Sequence, residues 1–350
     1  MQVTHLCAAE FVEGLEQIVF AELCNTFGDL VAPDSIQEDV AQTDTIQFAY
    51  SGTLRALLKL RTAKAVYIVH DFPISRPRAL LGHENLHKVL NQIEIALDLF
   101  PEGTFRTLSI GAAGSDSRVM RRLKDELAYH TGLAVADDTG DLFLRIRPSP
   151  TIAEHWQVLT RLSPRPLTTR AWRACNYQGA LNATVAHAMA LLTQPDPADT
   201  FLNIACGSGT LLIERRACGL ARQFLGFDID RNALNCARTN IRASGSNEEI
   251  NVSFGNARSL PLSDRSIDKL CADLPFGQLV GSHEENEVLY PTVLREAARV
   301  AKDGAAFALI THEIRLMERL LVHSQQWITE NVLRITLRGL HPGIYLLRRI

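Results

Sequence analysis

What this 350-residue chain lacks closes off several classes of protein. No run of about 18 uninterrupted apolar residues exists, so no membrane span is predicted and no membrane partner is expected. The seven cysteines, Cys7, Cys24, Cys175, Cys206, Cys218, Cys236 and Cys271, are odd in number and scattered, with no C-x-x-C. They predict neither a disulfide framework nor a cysteine zinc site. Met1–His5 has no basic start or apolar run of a signal peptide, so a reduced cytoplasmic protein is expected. There is no G-x-S-x-G elbow and no P-loop, and His83 and His87 stand four apart without an H-E-x-x-H context, so no metal is expected.

Basic charge is missing from one region only. The first 50 residues hold nine Asp or Glu and not one Lys or Arg, leaving 36 basic groups against 30 acidic ones in the remainder. Arg145, Arg147, Arg161, Arg165, Arg170 and Arg173 crowd together with Glu154 as their sole acid. A basic zone behind an acidic head suits a polyanion that touches part of the molecule. An Arg-rich connection with a solvated surface fits equally well.

The length predicts two or three domains. Phe11, Leu15, Ile18, Val19 and Leu23 stand at helical spacing, with Gly28 as a stop. Amphipathic helices are predicted over Leu54–Ile68 and Leu86–Phe100, and a strand over Thr104–Ile110. A further helix over Ser117–His130 has Asp116 as N-cap and Gly132 past its end. Leu133–Ala136 and Leu142–Ile146 flank Asp138-Thr139-Gly140 as a predicted hairpin. Trp156–Leu162 reads as one more strand. From Ala171 the grammar becomes strand–helix alternation and predicts an α/β fold with a parallel sheet, closed by a hairpin of Val332–Leu337 and Ile344–Arg349.

Four signals in this second half carry chemistry. Phe201–Ala205 runs as a buried strand into Cys206-Gly207-Ser208-Gly209-Thr210, a turn that opens a helix and offers free N–H groups. Leu212 stands where a dinucleotide fingerprint needs its third glycine, so a nucleotide without a pyrophosphate is expected. Gly226-Phe227-Asp228-Ile229-Asp230 ends the next strand; Asp228 can accept both hydroxyls of a ribose, while Asp230 can cap the helix from Arg231. A ribose without a diphosphate points to S-adenosylmethionine. Gly255-Asn256-Ala257 sits where an amide would read an adenine edge, or is a plain turn. Last, Ala272-Asp273-Leu274-Pro275-Phe276-Gly277 has an acid leaving a buried strand into a proline turn with an aromatic. Such a loop suits methylation of an amine conjugated to a ring. Asp273 and a carbonyl of Leu274 or Pro275 would accept the amine's N–H bonds, and Phe276 would stack on the base.

These motifs, in this order and spacing, resemble the class I S-adenosylmethionine-dependent methyltransferases of the THUMP-domain type, which modify guanine at N2 in transfer RNA. The resemblance implies a Rossmann-like methyltransferase domain over 179–350, preceded by a linker over 164–178. An N-terminal α+β RNA-binding half is implied before it, ferredoxin-like over 1–55 and THUMP-like over 56–163. Ala180-Leu181-Asn182-Ala183-Thr184 resembles the family's additional motif that closes over the cofactor. Asn182, Thr184, Asn203, Cys206, Gly207, Gly209, Thr210, Asp228, Ile229, Asn256, Ala257 and Asp273 are thereby expected to hold S-adenosylmethionine. Asp273, Leu274, Pro275 and Phe276 are expected to be catalytic. Arg118, Arg121, Arg122 and Lys124 on one helix, with Arg145 and Arg147, are expected to grip tRNA, and the protein is expected to be a monomer. Where the family usually has Asp, this chain has Asn203 and Asn256, and Leu274 stands where many relatives have Pro. Ribosomal RNA fits the same loop, and a non-catalytic RNA-binding descendant is the alternative of a different class. A DNA methyltransferase is disfavoured by the THUMP-like half.

Overall fold

The computed structural model describes residues 3–32, 37–38, 44–136, 139–275, 282–337 and 339–350. The chain divides into two units, Met1–Phe11 with Val19–Thr168, and Val12–Ile18 with Thr169–Ile350.

The first unit is built on strands β1 (His5–Glu10), β2 (Gln37–Glu38), β3 (Thr45–Tyr50), β4 (Ala65–Phe72), β5 (Thr107–Ala112), β6 (Ala134–Val135), β7 (Leu142–Pro148) and β8 (Trp156–Arg161). They form one sheet in the order β2-β3-β1-β4-β8-β7-β5-β6. Helix α1 (Glu16–Phe27) follows β1, and helices α2 (His83–Leu97) and α3 (Arg118–Thr131) bring Val89, Ile93, Met120, Leu123 and Leu127 into one apolar cluster with Leu108, Ile110, Leu144, Ile146 and Val158. The alternate residues of β4 and β7 lie on the other face, where Glu10 accepts from Tyr67 at 2.7 Å and pairs with Lys64 at 2.9 Å and Arg145 at 3.1 Å. Burial would raise the Glu10 carboxyl, but the Arg145 and Lys64 charges outweigh it and hold it below the usual range.

Three sequence expectations fail here for local reasons. Leu54–Lys59 is a short 3-10 turn, and the predicted helix gives way to β4. That strand reads Ala-Val-Tyr-Ile-Val-His-Asp-Phe, rich in β-branched and aromatic residues, and lies between β1 and β8, so its apolar run is continuous rather than alternating. The predicted hairpin is no hairpin, because β6 and β7 both pair in parallel with β5 between them. Asp138 of that turn lies outside the described residues. Gly140 serves close approach: a Cβ there would lie 2.7 Å from the backbone N of Ser109. Finally, the cap of α3 is Ser117, whose side chain accepts from the Met120 N–H, not Asp116.

The second unit follows the predicted alternation. It runs α4 (Ala183–Leu192), β9 (Thr200–Ile204), α5 (Thr210–Ala217), β10 (Gln223–Asp228), α6 (Arg231–Ala243) and β11 (Ile250–Phe254). Then come β12 (Ile267–Asp273), α7 (His283–Val300), β13 (Ala301–Thr311), α8 (Ile314–Val322), β14 (Trp327–Arg334) and β15 (Gly343–Arg349). The strand order is β11-β10-β9-β12-β13-β15-β14. All pairs are parallel except those of β15 with β13 and β14. Phe201, Leu202, Ile204, Leu270, Cys271, Ala272 and Phe307–Ile310 are fully buried, as strands covered on both faces must be. Ser282 and Glu285 form a reciprocal capping box that starts α7. Trp327 is core, its Nε1 donating to the Leu294 carbonyl at 3.0 Å.

One cysteine expectation is corrected. Cys175 and Cys236 form a disulfide. The contact that brings them together is Asn240 on α6, which accepts from the Cys175 N–H at 2.8 Å and donates to its carbonyl at 3.1 Å.

Candidate active site

Register sets the site. Ile204 of β9 lies opposite Phe227 of β10 and Ala272 of β12, so Ala205, Asp228 and Asp273 emerge level at the carboxyl edge of three adjacent parallel strands. In an open α/β sheet this edge, at the point where the strand order reverses, is where ligands bind.

The turn after β9 is held in an unusual backbone conformation. Ala205 has φ +50°, Gly207 +53° and Gly209 +82°, and only the glycines adopt this left-handed region without strain. A Cβ on Gly207 would meet nothing within 4 Å, so its backbone borders open space. Asp228 braces the turn: one carboxylate oxygen accepts from the Gly207 N–H at 2.7 Å and the other from the Asp230 N–H at 2.8 Å. A carboxylate has acceptor capacity beyond two such bonds, which leaves room for hydroxyl donors. Asp230 caps α6 through the Asn232 N–H at 2.8 Å.

The segment before α4 is stitched to this edge. Arg173 donates to the Leu181 carbonyl at 3.0 Å and to Thr210 Oγ1 at 3.2 Å. The Tyr177 hydroxyl bonds to Asp230, and Asn240 donates to the Ser208 carbonyl at 3.2 Å. Asn182 caps α4, its side chain accepting from the Thr184 N–H at 2.9 Å and the Thr184 hydroxyl at 2.7 Å. Trp172 is buried beneath the Arg173 guanidinium.

Not every expected cofactor residue reaches the edge. Asn203 is fully buried inside the sheet, and its amide donates to the Cys271 and Ile204 carbonyls at 3.2 Å. Asn256 accepts from the Arg258 N–H at 3.0 Å, the geometry of a turn. Ile229 is 62% exposed beside it in sequence to Asp228, and Phe254, 51% exposed, ends the neighbouring strand, so both leave apolar surface at the sheet edge. Cys206 and Thr210 are buried within the turn, and burial pushes the Cys206 thiol up, away from reactivity.

Asp273 stands at the end of β12, where burial pushes its carboxyl up to about 7. The Leu274 N–H donates to the Ile310 carbonyl at 3.1 Å, and its side chain is core. Phe276 lies outside the described residues. Residues directly following Thr311 line a cavity of about 670 Å³, with His283, His312, Glu313, Arg315 and Arg319 among its walls.

The expected RNA grip divides. Arg118, Arg121 and Arg122 are exposed on α3. Lys124 is not available, because it falls on the buried stripe with Met120, Leu123 and Leu127. Arg145 is held by Glu10 over the Tyr67 ring, and Arg147 is buried with its Nε donating to Gln157 at 3.2 Å. These three serve the fold. Sequence reasoning missed Arg173, Tyr177, Asn240, Asn286 and Tyr290; a polar Asn240 at a core position of α6 was the one visible signal.

Comparison with known proteins agrees with this geometry. Residues 170–342 match the family described as UPF0020, RMKL-like, methyltransferase domain. The chain is 30% identical over 182 residues to tRNA (guanine(6)-N(2))-methyltransferase THUMP3 of Mus musculus, covering 48% of this chain and 36% of that protein. It is 29% identical over 143 residues to U6 snRNA (guanine-N(2))-methyltransferase THUMPD2 of Bos taurus, covering 41% of this chain and 28% of that one. The chain thus spans about a third of the length of these curated relatives. Its fold is similar to that of TrmN from Thermus thermophilus, with a TM-score of 0.78 at 23% identity over 99% of this chain and 100% of that one. It also resembles SMU.472, complexed with SAH, with a TM-score of 0.70 at 15% identity over 99% and 98%. The match over residues 170–342 takes in nearly the whole of the second unit, so it is this unit that is similar to the RMKL-like methyltransferase domain.

Proposed function

We propose that this protein is an S-adenosylmethionine-dependent RNA methyltransferase that places a methyl group on the exocyclic N2 of a guanosine in tRNA. The observation that carries the reading is the level emergence of the Gly207–Thr210 turn, Asp228 and Asp273 at one sheet edge. The names of the relatives, which act on guanine N2 in tRNA and U6 snRNA, support the amine and the RNA class.

Gly207 and Gly209 would let the backbone approach the cofactor, and Asp228 would take its ribose hydroxyls. The bound cofactor supplies an activated methyl on a sulfonium. Asp273 and a backbone carbonyl of its turn accept the two N–H bonds of the guanine amine, pulling electron density back onto a nitrogen whose lone pair is shared with the ring. They would also aim that nitrogen at the methyl group the bound cofactor would supply, and Asp273 would take up the proton that the nitrogen releases. Residues 1–55 and 56–163 would hold the RNA and present one unstacked base.

Two measurements test the binding roles. Asp228→Ala is expected to weaken S-adenosylmethionine binding in calorimetry by about 1–3 kcal/mol, through loss of charge-assisted bonds. Unchanged affinity would remove the ribose from Asp228. Reversing charge at both Arg121 and Arg122 is expected to weaken tRNA binding and flatten its salt dependence, since each phosphate contact adds roughly one unit of slope. An unchanged slope would return these residues to a merely solvated face.

A further inference from the structure

We propose that Asn286 and Tyr290, one helical turn apart on α7, are positioning residues that decide which carbonyl of the Asp273-Leu274-Pro275 turn receives the substrate amine. They occupy the carbonyl of Pro275, and the amine's partner is the carbonyl of Leu274. The inference rests on the methyltransferase reading above and deepens it.

Asn286 Nδ2 donates to the Pro275 carbonyl at 3.1 Å, and the Tyr290 hydroxyl donates to the same oxygen at 2.6 Å. A carbonyl oxygen offers two lone pairs, so that of Pro275 is already satisfied. The Tyr290 oxygen also lies 2.6 Å from Thr311 Oγ1. Because its single proton goes to Pro275, the Thr311 hydroxyl is the donor in that contact. Thr311 Oγ1 in turn accepts from the Glu313 N–H at 2.9 Å. One directed chain of hydrogen bonds thus runs from the end of β13 through Thr311 and Tyr290 into the catalytic turn.

Asn286, Tyr290 and Thr311 are all 0% exposed. Hydrogen bonds in such surroundings strengthen one another and hold geometry tightly. Leu274 is anchored differently, by its N–H to Ile310 and by a side chain packed in the core. Among the described residues nothing donates to its carbonyl. The turn is therefore clamped on both sides of Leu274, and its carbonyl is fixed next to Asp273. A preorganised acceptor of this kind needs no reorientation when the base arrives.

Tyr290→Phe removes only the hydroxyl and keeps the ring in place. Single-turnover methylation of tRNA at saturating S-adenosylmethionine is expected to slow about tenfold, with KM for both substrates unchanged, because the lost contact aims the acceptor rather than binding a substrate. Thr311→Val should lose a similar factor and Thr311→Ser should recover it. An unchanged single-turnover rate in Tyr290→Phe, or a raised KM at constant rate, overturns the proposal and leaves the clamp purely structural. Asp273→Ala in the same assay separates the two levels. If Asp273→Ala is inactive while Tyr290→Phe is fully active, the methyltransferase reading stands and the clamp fails. If Asp273→Ala is fully active, the reading beneath both fails.

Discussion

Asp273→Ala is expected to cut turnover on tRNA by at least about 10²-fold, the size typical of losing one preorganised polar group from a reacting site. Affinity for S-adenosylmethionine and for tRNA should stay nearly intact, because the carboxylate stands at the end of β12 and not in the Gly207–Thr210 turn. Asp273→Asn keeps an acceptor oxygen and loses the charge, so its rate should fall between the two. Single-turnover rates measured beside binding separate these effects. Full activity in Asp273→Ala would make the Asp-Leu-Pro loop a plain turn.

A pH profile should show the same carboxyl at work. Burial raises Asp273 to about 7, and only its ionised form accepts both as a charge and as a hydrogen-bond partner. The value of kcat/KM should therefore climb about tenfold per pH unit below 7 and level off above it, so that activity at pH 5 is about 100-fold below the plateau. The sign for stability is opposite. A carboxyl whose folded pKa lies above its unfolded one costs stability as pH rises through that window. Asp273→Asn should therefore raise Tm at pH 8 relative to the parent and leave it unchanged at pH 3. A flat rate profile between pH 5 and 8 would show that Asp273 is ionised throughout or plays no part in the rate.

Much of the site was readable because its signals are local. Gly207 and Gly209 declare a left-handed turn, Asp230 declares a cap, and Asp273 leaves an apolar strand into a proline, all within a few residues. The supporting contacts were not readable, since Arg173 meets Thr210 and Cys175 meets Asn240 across 37 and 65 residues. Only the folded sheet brings them together. Misreadings came from counting residue types without faces. Lys124 has the same charge as its neighbours, yet it stands one helical turn from both Met120 and Leu127 and is buried with them. Arg145 and Arg147 alternate with Leu144 and Ile146, so they point away from the helices into a packed polar face with Glu10 and Gln157. The strand at Ala65–Phe72 was missed because a strand buried on both sides has no period of two to read.

The central claim is the transfer of a methyl group to guanine N2, and nucleoside mass spectrometry tests it most directly. Unmodified tRNA incubated with the full chain and S-adenosylmethionine, then digested to nucleosides, should yield N2-methylguanosine, and Asp273→Ala should yield almost none. Methylated adenosine or cytidine in its place, or no methylated nucleoside from a chain that binds S-adenosylmethionine, would contradict the account.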